Sequence, residues 1–277
     1  MSVVAAPTSP VTDPAVPAFE MRNVTVTTLR DASVVVLEQV NWTVDVGDFW
    51  AVAGLLRSGK SDLLALAAGL SRSSRGVHHL FGQELIAGFE HERLALRLRV
   101  GLVFDGGQLL HHLTLEENIA LPLLYHRGVS PEISVRIQAL MELTGLEPWA
   151  GSTPSAVNRN WQQRIGLARA LALKPDILLL DNPLSGLDPR DVGWWLDTLD
   201  SLAAGHPIVD GKPLTLVVTG DDLRPWRHRA RQFAVLKNQQ FIPLGQRADL
   251  DGHGEPLLQE LLPAESLSLP RSTKDGR

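Results

Sequence analysis

The chain has 277 residues, 26 basic against 31 acidic, a formal net charge of −5 and no cysteine. Without cysteine there is no disulfide framework, no thiolate-held zinc or iron–sulfur site and no cysteine nucleophile. The acidic balance gives no general attraction to nucleic acid, so no nucleic-acid partner is expected, and the length fits one globular domain with tails or at most two small ones.

Residues 1–17 carry four prolines and no hydrophobic periodicity, which predicts a flexible N-terminal tail. No basic residue precedes its Val-Val-Ala-Ala stretch, so it does not read as a signal peptide. Apolar runs such as 63–70 fall far short of the roughly 20 residues that cross a bilayer, which makes a soluble cytoplasmic protein the default expectation. Short, partly alternating β-branched segments over 18–46 predict strands, with a break at 29–32, and 49–53 reads as a buried strand running into Gly54. An alanine-rich core helix is expected at 63–70, a strand at 100–104 and helices over 119–145, interrupted near Gly128 and Pro131. Further on come a helix at 162–173, a strand at 177–180, a helix at 192–203, a strand at 214–218, and a hairpin of 233–236 with 241–244 turned at 238–240. Alternating strands and helices predict an α/β core with a largely parallel sheet. In the tail, 257–262 reads as a short helix and 266–277 as disordered.

The strand 49–53 ends in Gly54-Leu55-Leu56-Arg57-Ser58-Gly59-Lys60-Ser61, followed by Asp62, and fits G-x-x-x-x-G-K-[ST]. Small residues let backbone N–H groups wrap a β-phosphate, and the following helix offers its N-terminal donors to the same anion. Lys60 supplies charge to the β- and γ-phosphates, and the Ser61 hydroxyl is a candidate Mg²⁺ ligand. A phosphate-binding loop is the reading; a glycine turn between core elements with an exposed lysine is the alternative. Arg57 sits where many such loops carry glycine, so it either crowds the loop or adds a second cation near the terminal phosphate.

A metal beside such a loop needs a carboxylate on a neighbouring strand, and 177–180 ends in Asp181. Asp181 is followed by Asn182-Pro183-Leu184-Ser185-Gly186-Leu187-Asp188-Pro189. This stretch resembles the ATP-binding cassette (ABC) family, whose members read four apolar residues and then D-E-P-x-S-G-L-D-P. Gln162 to Leu171, Q-Q-R-I-G-L-A-R-A-L, is similar to that family's helix after its signature sequence. A metabolic kinase with an accidental S-G-L-D-P is the competing reading.

The resemblance covers roughly 18–247 and leaves 248–277 as a C-terminal tail. It implies an α/β P-loop NTPase fold with a RecA-like core, a β-rich flap at 18–46 and a helical subdomain at about 106–160. It also implies Mg-ATP as ligand, head-to-tail pairing with a second cassette, and a membrane permease subunit as partner. Each ATP would lie between one chain's P-loop and the other's signature, with the cassette peripheral on the cytoplasmic face of the cell membrane. The stretch 103–122 looks most like cassettes of the lipid-transport branch that serves outer-membrane asymmetry.

Placed position by position, the family's functional residues are largely replaced. The general-base glutamate falls on Asn182, whose amide accepts no proton near neutral pH. The Q-loop glutamine falls on Asp105, which remains a candidate metal ligand with Ser61 and Asp181. The signature L-S-G-G-Q falls on Val157-Asn158-Arg159-Asn160-Trp161, so Asn158, Arg159 and Asn160 would face the partner's nucleotide together with the D-loop Asp188. The switch histidine falls on Gly220, and no aromatic stands near Thr28 to stack on adenine. A lost general base alone is worth about 10²- to 10⁴-fold, so hydrolysis is expected to be slow or absent. An active transport ATPase that uses Asp221 or Asp105 as substitute base, or a heterodimeric partner, is the alternative.

Other features stay open between two readings. Arg224, Arg227, Arg229 and Arg231 form either a solvated face or a docking patch. Leu109, Leu110, Leu113 and Leu115, with Ile119, Leu121, Leu123 and Leu124, are either core or the contact surface for a permease. The pairs His78-His79 and His111-His112 have no metal-ligand spacing, so no metal beyond Mg²⁺ is expected.

Overall fold

The computed structural model of the chain describes residues 16–85 and 90–250. The expected tail 1–17 lies almost wholly outside the described residues, as do the C-terminal tail from 251 and its expected helix at 257–262. In chain order the elements are β1 (Phe19–Thr27), β2 (Val35–Val44), β3 (Phe49–Gly54), α1 (Lys60–Ala67), β4 (Arg75–Leu80), β5 (Gln83–Glu84), α2 (Glu90–Arg97) and β6 (Val100–Val103). They continue with α3 (Leu115–Arg127), α4 (Pro131–Thr144), α5 (Arg159–Leu171), β7 (Ile177–Leu180), α6 (Pro189–Ala204), β8 (Thr215–Gly220), β9 (Gln232–Lys237), β10 (Gln240–Gln246) and α7 (Arg247–Leu250).

Strand burial sorts these elements into two sheets. β3, β7 and β8 are buried along their whole length, as strands covered on both faces must be, and they form the middle of a sheet ordered β10-β9-β3-β8-β7-β6. Its neighbours run parallel except for the β9–β10 edge hairpin, which turns at Asn238 and Gln239, both in the left-handed region. Alternating burial marks β1, the centre of an antiparallel sheet ordered β2-β1-β4-β5. That second sheet is the β-rich flap, and it extends past the expected 18–46 because β4 and β5 complete it. Neither strand, nor α2, was expected: β4 contains the two adjacent histidines and little β-branched sequence.

One core lies on each face of the central sheet. Leu178 and Leu180 of β7 face α3–α6, with Leu115, Ile119, Leu171 and Trp195 fully buried there. Ile177 and Leu179 face α1 and the flap, against Leu63, Leu66, Phe19 and Leu37. This alternation is the period-two consequence of a strand packed on both sides.

The helices are set by local chemistry. Thr114 and Glu117 form a reciprocal capping box at the start of α3, and Asn118, fully buried, exchanges hydrogen bonds with the Leu110 backbone and fixes the preceding loop. Gly145 ends α4 in the left-handed conformation. Arg136 of α4 donates to Leu171 O at 2.6 Å and Ala172 O at 3.3 Å at the end of α5, and to Ile208 O at 2.5 Å beyond α6. The start of α5 corrects the sequence reading: it begins at Arg159 instead of Gln162, because Asn158 Oδ1 accepts from Trp161 N at 3.2 Å and caps it.

Candidate functional site

The loop between β3 and α1 is built around residues that only glycine or a strained backbone allows. A Cβ at Gly54 would stand 2.4 Å from Ser58 Oγ, and Gly59 caps α1 at φ 91°. Arg57 adopts φ 63° and so bears the cost of the left-handed region, and its exposed side chain lies on the wall of the adjoining cavity. Lys60 Nζ donates to Gly54 O and, at 3.1 Å, to Leu55 O. Burial pulls the Lys60 ammonium below its ordinary range, while Asp221, Asp181 and Asp105 act in the opposite direction. Ser58 Oγ is buried without a partner, an unpaired polar atom inside the loop.

This loop opens on a cavity of about 400 Å³ whose walls include Thr28, Val36, Leu56 to Asp62, Asp105, Asp181 and Asn182. The parallel pairing of β7 with β8 and of β8 with β3 brings Asp181 and Gly220 to the same edge as Gly54. No aromatic ring is among the residues that line the cavity.

Asp181 is 4% exposed and its Oδ1 accepts from the Thr219 hydroxyl at 2.9 Å. The same hydroxyl oxygen accepts from Asn182 N at 3.2 Å, so Thr219 fixes both the acid and the residue after it. Sequence reasoning missed this role of Thr219; the signal was a threonine at the end of a buried apolar strand beside an acid-terminated one. Asn182 itself sits at φ 51°, and its carbonyl accepts from Gln163 Nε2 at 3.3 Å. At Gly220 an added Cβ would meet nothing closer than 3.6 Å, so the site has room for a side chain.

Several residues assigned by resemblance turn out to have partners within this chain. Asp105 lines the cavity, yet its Oδ1 is in contact with Nη2 of Arg159. Its carboxyl is raised above the ordinary range by burial, with Arg159 opposing that shift. Asn160 is 5% exposed and its Oδ1 accepts from Trp195 Nε1 at 3.1 Å, so its side chain is engaged in the core. Asn158 spends its oxygen on the α5 cap. Asp188 caps α6, accepting from Arg190 N at 2.8 Å and Asp191 N at 3.0 Å, and those backbone donors hold its carboxyl below the usual range. Asp62 Oδ1 accepts from Leu29 N at 2.9 Å and ties the flap to the first turn of α1.

A second cavity, of about 610 Å³, runs between β6, α3 and α5 and is lined by Val100, Leu102, Phe104, Leu110, Leu121 and Tyr125 among others. It divides the leucines of this region. Leu109, Leu115, Ile119 and Leu123 are buried core, whereas Leu110, Leu121 and Leu124 are about 40% exposed. Of the clustered arginines, Arg224 pairs with Asp222 at 2.6 Å and Arg229 with Asp200 at 2.8 Å. His78 is buried, and among the described residues no group of three or more His, Asp or Glu stands where it could hold a metal ion. No helix of the described residues is long and apolar enough to cross a membrane.

The comparisons with known proteins agree with this architecture. Residues 37–185 match the family described as ABC transporter. The methionine import ATP-binding protein MetN 1 of Acinetobacter baylyi is 30% identical over 262 residues, 94% of this chain and 72% of that protein. MetN of Rhizobium johnstonii is 32% identical over 217 residues, 78% of this chain and only 58% of that protein, so this chain spans little more than half of some of its relatives. Among solved structures, the dimeric post-hydrolysis state of the ATP-binding cassette MJ0796 bound to ADP and Pi superposes with a TM-score of 0.71 at 28% identity, covering 80% of this chain and 95% of that one. With a P-loop between β3 and α1, an acid at the end of β7, an antiparallel flap and a helical subdomain on a parallel sheet, the chain belongs to the ABC transporter family.

Proposed function

We propose that this chain is the ATP-binding subunit of a transporter and that it binds Mg-ATP at the P-loop cleft while hydrolysing it slowly or not at all. The donor set fits such a ligand. Lys60 and the backbone N–H groups entering α1 would hold the phosphates. The Ser61 hydroxyl with the Asp181 and Asp105 carboxylates offers the oxygen donors that a hard cation takes. With Mg²⁺ bound, phosphate charge is neutralised and the terminal phosphoryl group is polarised.

One observation carries the impaired chemistry: Asn182 stands directly after Asp181 on the rim of the cavity, where water activation needs a base. A carboxamide holds and orients water but takes no proton from it. Gly220 offers no side chain to the terminal phosphate, so the transition state loses a further contact. These losses act on one step and do not add simply.

A second reading has its own support. Asp221 directly follows β8 and, like Asp181 and Asp105, acts on the Lys60 ammonium, which favours it as a substitute base. Phosphate release by the purified chain, with and without Asp221→Asn, separates the two. Turnover of several per second that vanishes in Asp221→Asn supports the active ATPase; binding of ATP with negligible release supports the degenerate cassette.

The second cavity supports a permease as transport partner. Its apolar lining and the exposed Leu110, Leu121, Leu124 and Tyr125 form a face suited to a permease subunit at the membrane's cytoplasmic side. The MetN relatives are named for methionine import, and a lipid cargo rests only on the stretch 103–122. A second cassette, identical or intact, would complete the assembly. Co-purification from native membranes tests this: recovery with a permease and a cassette supports the complex, and a lone monomer contradicts it.

A further inference from the structure

The contact between Asp105 and Arg159 joins residues 54 apart in sequence and puts a cation beside a carboxylate that lines the nucleotide cleft. The seat for it is built. β6 ends in a turn whose Gly106 and Gly107 adopt φ 68° and 76°. A Cβ at Gly107 would stand 2.3 Å from Gln162 O, so only glycine lets this turn rest on α5. A Cβ at Gly106 would stand 3.4 Å from Arg159 Nη1, so the guanidinium lies across the turn. Both side chains remain nearly half exposed, 48% for Arg159 and 43% for Asp105, so the pair is free to open.

We propose that Arg159 is a built-in counter-charge for Asp105 that competes with the divalent cation, so that nucleotide binding at the P-loop cleft depends only weakly on metal. The inference rests on the nucleotide-binding reading above. Without Arg159 the cleft would present Asp105 and Asp181 to a cation, with Lys60 as a positive group that acts on both. With Arg159 in place, one of the two carboxylates is already matched. A divalent ion must then displace the guanidinium or rely on Asp181 and Ser61 alone, and Asp181 already shares one oxygen with Thr219. Conversely, a metal-free triphosphate meets less repulsion from Asp105. Part-exposed ion pairs contribute about 0.2–1 kcal/mol, which corresponds to roughly 1.5- to 5-fold in metal preference.

The test is the ratio of the ATP dissociation constant in EDTA to that in excess Mg²⁺, measured by calorimetry on the full chain. Arg159→Ala should raise this ratio by about 1.5- to 5-fold, and Arg159→Lys, which keeps the charge, should leave it near the wild-type value. In an Asp105→Asn background, Arg159→Ala should no longer move it. A purely structural role for Arg159 would change both constants together and leave the ratio fixed, and that result overturns the proposal. So does an equal effect of Arg159→Ala with and without Asp105. If folded wild-type protein binds no ATP in either buffer, the nucleotide reading itself fails and takes this inference with it. If ATP binds in a Lys60-dependent way and the ratio ignores Arg159, only the inference falls.

Discussion

Replacing Asn160 by alanine should destabilise the protein without changing ATP binding at its own P-loop. Trp195 is fully buried, and its indole Nε1 donates to Asn160 Oδ1 at 3.1 Å. Alanine leaves that indole N–H in an apolar core with no acceptor, which costs about 1–3 kcal/mol. For a chain of this size that lowers the melting temperature by roughly 2–12 °C. Trp195→Phe should also destabilise, because it strands the Asn160 amide and loses ring volume. The double variant should be less destabilised than the sum of the singles by about 0.5–3 kcal/mol, since the partner group stranded by each single change is gone. Urea denaturation followed by far-UV circular dichroism measures all four proteins with one probe that does not depend on the indole. Strict additivity, or an Asn160→Ala variant within about 0.5 kcal/mol of wild type, would refute the claim that this signature-position residue serves the core.

Three further outcomes follow from the same geometry. Asn182→Glu combined with Gly220→His should raise ATP turnover by about 10²- to 10⁴-fold in a phosphate-release assay, since the Gly220 site has room for a Cβ; no gain would mean that other losses limit the reaction. Thr114→Ala removes the cap that accepts from Glu117 N and should cost about 1 kcal/mol in urea denaturation. Burial, and then neighbouring His79, lowers His78 from 6.5 to about 4. The unfolded chain therefore binds the extra proton between these values, and stability attributable to His78 falls as pH drops through that window, with a slope of about 1.4 kcal/mol per pH unit, and is flat above it. His78→Gln should flatten the difference between melts at pH 7 and pH 5.

The phosphate-binding loop, the acid at the end of β7 and the parallel core were legible because each is local. A fixed spacing of Gly, Lys and Ser, or an unbroken apolar run, states its own geometry. The flap strands β4 and β5 were not, since the run Gly76-Val77-His78-His79 has no clean alternation and is a strand only because β1 pairs with it. The start of α5 was misjudged for a related reason. Arg159 and Asn160 are polar and look like loop, yet Asn158 caps a helix there and Trp195, 35 residues away, supplies the donor that buries Asn160. Thr219 and the Asp105–Arg159 pair were hidden in the same way, by partners 38 and 54 residues distant. Local pattern shows which residues are able to act; which of them are already engaged is decided by the fold.

Calorimetric ATP binding and phosphate release, measured on the same purified wild-type and Lys60→Ala proteins, test the central claim most directly. The account predicts saturable binding that Lys60→Ala abolishes, with wild-type turnover slow or absent. Lys60-dependent turnover of several per second by the wild-type chain alone would contradict it.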